Sequence, residues 1–328
     1  MDNLIFEECI RHYYSSLSLG KSWDDLAKDY GFQSGEVLRM RIRRERKKRG
    51  IPSRDQLIQS NLNNIPNTYK TIQSNAKILC FDIENTLMRC VTFDLWEQNI
   101  RPEQVTSDSY IICWSAKFLN ESKLYSDVLT SEEAIAGNDR RIVENVWQLL
   151  NGCNILIGQN IKNFDLKKLN VRFLYYGLPP IANTQIIDTY LISRSNFSFP
   201  SNSMKYINKF LGIKQKEENE GISLWMKCME GDKESLAKMD DYCKSDTLAV
   251  ENLYYMLRPF IRNGPNLGVY FDGNEKRCPN CGSIELEEES FYYPNAGKYI
   301  TYRCECGSII RSKDNLLDKY KKKSLLVN

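Results

Sequence analysis

Asp82 and Glu84 stand one residue apart at the end of an apolar run, LCFDIENTL, over 79–87. Side chains two apart in a strand point the same way. The two carboxylates are therefore expected side by side where the strand leaves the core. Adjacent negative charges in a half-buried place are costly unless something positive offsets them. A hard divalent ion such as Mg²⁺ prefers carboxylate oxygen and suits the role. A solvated strand end is the plainer reading of the same pair. Asp165, in GQNIKNFDLKKL over 158–169, starts a helix, where it could cap the helix or ligate metal. In the same segment Gly158 lets a backbone come close, and Asn160 could meet a phosphate, a base edge or its own turn. Asp246 lies in DDYCKSDTLAVENLYYML over 240–257 and shares a helix face with Tyr242, with Val250 and Leu253 carrying that face into the core. An Asp on a buried face needs a partner, and metal is one. Packing of Tyr242 beside a half-exposed Asp is the alternative.

Four cysteines near the C-terminus form a second candidate site: CPNC at 278–281 and CEC at 304–306. Cys278 and Cys281 have zinc-knuckle spacing, with Gly282 to turn the chain after them. Cys304 and Cys306 are tighter, and Gly307 follows. SIELEEESFYYP and KYITYRC between the pairs read as hairpin arms, so the segment resembles a zinc ribbon with one structural, tetrahedral Zn²⁺. A reversible disulfide and an iron–sulfur centre are the alternatives. So small a unit needs the metal for its folding energy. Phe291, Tyr292, Tyr293, Tyr299 and Tyr302 alternate with Lys298, Arg303 and Arg311. They could stack and clamp a single strand or form the ribbon's own core.

The elements that position the acids follow from hydrophobic period. Strands are expected at 77–82, 88–96 and 109–118 as a meander, then at 154–160, with a short strand or strand–helix join at 186–190. Helices are expected at 139–151, 165–176, 203–211 and 233–260. Strands first, then alternating β and α, give an α/β domain: a mixed sheet flanked by helices.

Taken in order, these segments resemble the three motifs of the DnaQ-like 3′→5′ exonuclease superfamily, whose fold is RNase H-like. FDIE supplies Asp82 and Glu84, GxNxxxFD supplies Asn160 and Asp165, and YxxxD supplies Tyr242 and Asp246. The resemblance covers about 77–260, and IIDTYLISR (186–194) and MKYINKFLGI (204–213) look like the family's intervening helices. It is to the subclass with Tyr in the last motif. The single histidine, His12, lies outside this region and agrees with that choice. The proofreading domain of family B DNA polymerases is similar, but no polymerase domain fits in what remains. The resemblance implies hydrolysis of single-stranded nucleic acid, DNA favoured, from the 3′ end, with two Mg²⁺ or Mn²⁺. Asp82, Glu84, Asp165 and Asp246 would be metal ligands. Asp82 would bridge both ions, Glu84 and Asp246 would hold the ion that activates water, and Asp165 would support the second. Tyr242 would orient the water, and Asn160 and Phe164 would contact substrate.

At the N-terminus, SWDDLAKDYGFQSGEVLRMRIRRERKKRG resembles a helix-turn-helix within a helical unit over 1–50 that begins with a helix at 3–17. Ser22 would cap a helix from Trp23 to about Tyr30, and a second would run from about Gly35 to Arg49, with Leu26, Ala27, Val37 and Leu38 as core. Arg39, Arg43, Arg44, Arg46 and Lys47 on the last helix read as a phosphate-binding footprint or as a solvated basic helix end. Residues 51–76 read as a linker, 77–264 as the RNase H-like domain, 272–312 as the ribbon and 313–328 as a basic tail.

A chain of 328 residues with 42% hydrophobic content is long enough for two or three domains. No run of about eighteen apolar residues and no signal pattern occur, so a cytoplasmic protein without membrane contact is expected. A formal net charge of +3 leaves nucleic-acid affinity to local basic patches. The expected partners are single-stranded or duplex nucleic acid and replication or repair proteins. Two other functions fit the same residues: a nucleic-acid-binding regulator or replication factor using the helix-turn-helix on a nuclease-fold scaffold, or an RNase H-like endonuclease of structured substrates.

Overall fold

The computed structural model describes residues 5–6, 8–10, 22–51, 75–94, 96, 98–213 and 220–327. Most of the expected linker and of the helix expected over 3–17 lies outside the described residues. The chain divides into two units: Met1–Ile65 with Lys205–Lys214, and Pro66–Met204 with Gln215–Asn328.

In the first unit, α1 (Trp23–Asp29) and α2 (Gly35–Lys48) are joined by a short turn. Ser22 caps α1 reciprocally with Asp25: Ser22 Oγ accepts from Asp25 N at 3.1 Å, and Asp25 Oδ2 accepts from Ser22 N at 2.9 Å. Gly35 sits where the two helices meet. A Cβ there would lie 2.7 Å from the Trp23 carbonyl carbon, so only glycine allows the approach. Leu26, Ala27, Leu38 and Ile42 pack with Phe6, Cys9 and Ile10. Val37 is only half-buried. Ile42, one turn beyond Leu38, supplies the expected apolar contact instead.

In the second unit a five-stranded sheet has the order β5 (Leu124–Val128), β4 (Ile111–Phe118), β1 (Ile78–Asn85), β6 (Ile155–Gly158), β7 (Gln185–Asp188). The first three are antiparallel neighbours, and β6 and β7 run parallel to β1. The parallel strands need long crossovers. After α3 (Ser131–Ala136), α4 (Arg140–Asn151) leads into β6, and α5 (Asp165–Tyr176) into β7. Then follow α6 (Thr189–Asn196), α7 (Met204–Leu211), which from Lys205 on belongs to the first unit, α8 (Ile222–Met229) and the 25-residue α9 (Lys233–Leu257).

The meander differs from expectation. Its third strand is Leu124–Val128, not 88–96. Of that stretch only β2 (Arg89–Cys90) is a strand, paired with β3 (Val105–Ser107) in a separate ribbon. Both sides of β1 are already occupied, by β4 and β6, so no ladder edge remains for it. Met88, Val91, Phe93 and Trp96 are left exposed. α3 and α8, both short, are helices that periodicity alone did not separate from loops.

Alternation along β1 divides the core. Leu79, Phe81 and Ile83 face a cluster that includes Ile142, Val146, Leu169 and Phe173. Ile78 and Cys80 face the other, with Ile157, Val250 and Tyr254. Asp82 and Glu84 share the parity of Ile78 and Cys80, so they continue the face that α9 crosses. A buried ion pair ties α5 to the start of α4: Arg172 Nε donates to Asp139 Oδ2 at 2.8 Å, and Ile111 N donates to the same oxygen at 2.8 Å.

The chain ends in a three-stranded antiparallel sheet, β8 (Leu286–Tyr292), β9 (Tyr299–Cys304) and β10 (Ile309–Arg311), followed by α10 (Lys319–Ser324). The expected hairpin arms are β8 and β9, and β10 is an additional strand. Among the described residues no helix is long and apolar enough to cross a membrane.

Candidate active site

Asp82, Glu84 and Asp246 each offer a carboxylate oxygen within 4.8 Å of the others. Two come from consecutive same-face positions of β1 and the third from the middle of α9. Val250 and Tyr254, one and two turns past Asp246, are buried against the Ile78 and Cys80 end of the strand, which fixes where along α9 the acid falls. Asp165 joins from the first residue of α5: its Oδ1 accepts the Ile83 backbone N–H at 3.3 Å. It is 3% exposed.

The turn before Asp165 is built for this placement. A Cβ at Gly158 would lie 2.7 Å from the Cβ of Ile161, which is fully buried, so β6 must end in glycine. Asn160 takes φ 58°, a left-handed position that asparagine tolerates. Asp188, at the end of β7, holds the turn from the side. Its Oδ1 accepts from Asn160 N at 3.0 Å and its Oδ2 from Lys162 N at 3.2 Å. It also caps α6, accepting from Tyr190 N and Leu191 N.

The acids make each other hard to ionise. Burial pushes Asp82 well up, and the charges of Asp165, Glu84 and Asp246 add to it. Glu84 is pushed up to about 8 by burial, then by Asp246 and Asp165. Asp165 is pushed up to about 7 by burial, against the lowering effect of its backbone hydrogen bonds. Such a set of hard oxygens in mutual repulsion fits a divalent cation, whose charge would reverse each of these shifts. The Tyr242 phenol is also pushed up, by burial and then by Asp246, Glu84 and Asp82. Its ring packs edge-on against Trp225, with centroids 6.2 Å apart. Beneath Asp82, the Cys243 thiol lies 3.6 Å from Oδ2.

Phe164 is exposed at the N-terminus of α5, with Lys168 Nζ 6.0 Å from its ring centroid. Asn160 is engaged locally: its Oδ1 accepts from Asn163 Nδ2 at 3.4 Å. Of its three sequence readings, its own turn is the one visible here. On α2, Arg39, Arg43, Arg44 and Lys47 are exposed. Arg46 departs from the expected footprint. It is 7% exposed and donates Nη1 to the Ile51 carbonyl at 2.8 Å, so it is spent inside its own unit.

The four C-terminal cysteines are buried, and their sulfurs lie within 4.8 Å of one another. Cys278–Cys306 and Cys281–Cys304 Sγ separations are 3.7 and 3.5 Å. Both far exceed the ~2.05 Å of a disulfide and are close to the ~3.8 Å edge of a tetrahedron of thiolates at about 2.3 Å from zinc. Gly282 and Gly307 close the two knuckles at φ 80° and 83°. The Asn280 side chain, inside the first knuckle, donates to the Ile261 carbonyl at 3.0 Å, and Leu267 N donates to the Pro279 carbonyl at 2.8 Å. Of the aromatic residues, Tyr302 is buried, while Phe291, Tyr292 and Tyr293 are exposed.

Sequence reasoning missed Asp188, Cys243 and the Asp139–Arg172 pair. Only Asp188 had a signal, an acid directly after an apolar run, like Asp82.

A family model described as RNase H superfamily matches residues 104–258, a span that includes Asp165, Tyr242 and Asp246 but begins after β1. The structure of the family B DNA polymerase from the hyperthermophilic archaeon Pyrobaculum calidifontis is similar over 56% of this chain and 25% of that one, at 16% identity and a TM-score of 0.42. This chain thus spans a quarter of the polymerase's length. No curated relative matches in sequence. The central domain, with its mixed sheet, flanking helices and matched family model, is RNase H-like.

Proposed function

We propose that this protein is a metal-dependent 3′→5′ exonuclease that hydrolyses phosphodiester bonds of single-stranded nucleic acid, DNA favoured. The observation that carries the reading is the convergence of Asp82, Glu84 and Asp246, from a strand and a distant helix, within 4.8 Å. The order of the motifs and the tyrosine at 242 support the 3′→5′ assignment.

Two Mg²⁺ or Mn²⁺ ions would supply the charge that activates water and stabilises the leaving oxygen. The Asp82 carboxylate lies within 4.8 Å of those of Glu84 and Asp246 and also feels the charge of Asp165. The Asp165 carboxylate accepts the Ile83 N–H, which holds it next to the strand residue that follows Asp82. Tyr242 keeps its phenolic proton and can donate it in a hydrogen bond to an attacking water or a phosphate oxygen. The exposed Phe164 ring offers a stacking surface for a terminal base, and Lys168 stands beside it.

The four cysteines would hold one structural Zn²⁺, and the exposed Arg39, Arg43, Arg44 and Lys47 of α2 would bind phosphate in a helix-turn-helix mode. Replication or repair proteins are the partners such an activity would serve.

A 5′-labelled oligonucleotide with Mg²⁺ tests the reading. A ladder that shortens from the 3′ end supports it. Internal cuts would make the protein an endonuclease, and a tight mobility shift without cleavage would make it a binding factor.

A further inference from the structure

A second concavity opens beside the carboxylates, at the C-terminal end of β7. It has a volume of about 750 Å³ and is open to solvent. Its floor is apolar, from Ile187, Leu191 and Ile261, and its rim carries Lys162, Arg194 and Arg262. All three cations are exposed, and among the described residues none of them makes an ion pair or hydrogen bond through its side chain. The one acid in the wall, Asp188, makes no ion pair with any of the three. Its two oxygens are taken by four backbone N–H groups, from Asn160, Lys162, Tyr190 and Leu191. The cavity therefore presents three positive charges against one negative over an apolar floor.

Its place in the sheet relates it to the acids. Asp188 pairs with Gly158 on β6, and Ile157 on β6 is level with Cys80 on β1, two residues before Asp82. Neighbouring strands lie about 4.8 Å apart, so the end of β7 is about 10 Å from the end of β1, along the same edge. That edge, at the carboxyl ends of parallel strands, is where open α/β sheets bind ligands. Lys162 sits in the turn between the two places, three residues before Asp165.

We infer that this cavity is a phosphate-binding subsite: Lys162, Arg194 and Arg262 hold the backbone of a single nucleic-acid strand upstream of the phosphate at the carboxylates. The inference rests on the exonuclease reading for which phosphate lies at the acids, but not for the binding itself. Sugars cover Leu191 and Ile261, and the three cations meet successive phosphates. Contact with phosphate alone makes the subsite indifferent to base sequence.

The test is fluorescence anisotropy of a labelled oligothymidylate against the whole chain in buffer free of Mg²⁺ and Mn²⁺ but without chelator, where no cleavage is expected, over a salt series. Loss of three phosphate contacts to a single strand reduces the slope of log K against log salt by about 2. The triple variant Lys162→Ser, Arg194→Ser, Arg262→Ser is expected to show that reduction, with weaker binding at every salt concentration and an unchanged circular dichroism spectrum. A variant that loses Lys123, Lys227 and Lys238 instead removes the same charge elsewhere and is expected to keep the wild-type slope. Equal slopes in the cavity variant and the wild type, or an equal reduction in both variants, overturn the subsite. Wild-type cleavage with Mn²⁺ is scored separately. An inert wild type whose slope still depends on the cavity overturns the exonuclease reading and leaves the subsite standing.

Discussion

Ile83 donates its backbone N–H to Asp165 Oδ1 from a position between Asp82 and Glu84, so the acid on α5 is fastened to the strand that carries the other two. Asp165→Asn keeps an acceptor for that bond and removes only the charge. Cleavage should fall by roughly 10²-fold or more, while above about pH 7, where Asp165 is ionised, the metal-free protein melts at a higher temperature than wild type because a repelling charge is gone. Asp82→Ala should abolish cleavage on the same logic, with the fold intact by circular dichroism. An Asp82→Ala protein that retains most activity would falsify the site.

The raised carboxyls give the metal-free protein an unusual pH dependence. Glu84 and Asp165 hold their protons in the folded state up to about 8 and 7. The unfolded chain releases them near 4. Their contribution to stability is complete below about pH 4 and is lost as pH rises through 7 to 8. Melting without added divalent ions is expected to fall between pH 5 and pH 8.5, and Mg²⁺ to restore it most at the alkaline end, where the acids are ionised. A melting temperature that is flat with pH without added divalent ions argues against a repelling cluster.

Removing one partner of the Asp139–Arg172 pair leaves a buried charge alone. Arg172→Met is expected to cost about 3–5 kcal/mol, read by urea denaturation. Because Arg172 lies on α5, two turns beyond Asp165, activity per folded molecule should fall too, which a purely distant stability defect would not produce. Arg172→Lys keeps the charge but loses the planar fork and should rescue only in part.

For the cysteines, elemental analysis should find one zinc per chain. Cys304→Ser or strong chelation is expected to melt the three-stranded sheet, seen as loss of amide protection across β8 and β9. A folded sheet free of metal contradicts the assignment.

Much of this was legible in the sequence because local signals agreed. The strand that ends in Asp82 and Glu84, the helix that opens at Asp165 and the long helix through Asp246 each carry an apolar period that fixes which way the acids face. The capping box at Ser22 and Asp25 is likewise written locally. What failed was decided by distant partners. The stretch over 88–96 alternates like a strand, but no free edge remained beside β1. Arg46 looked like its basic neighbours, yet the helix turns it inward to the Ile51 carbonyl. Asp188 stood after an apolar run like Asp82, but its role was hidden, since its four donors come from two segments that meet only in the folded sheet.

The Asn280 side chain, seated among the zinc-type cysteines, also donates to the carbonyls of Arg258 and Ile261, just past the end of α9. The rod that carries Asp246 is thereby anchored at its far end by a sulfur-bound knuckle about 18 Å away, counting twelve residues at 1.5 Å each. Oxidants that strip those thiols would slacken the rod at its mooring, and cutting would falter although no carboxylate had been touched.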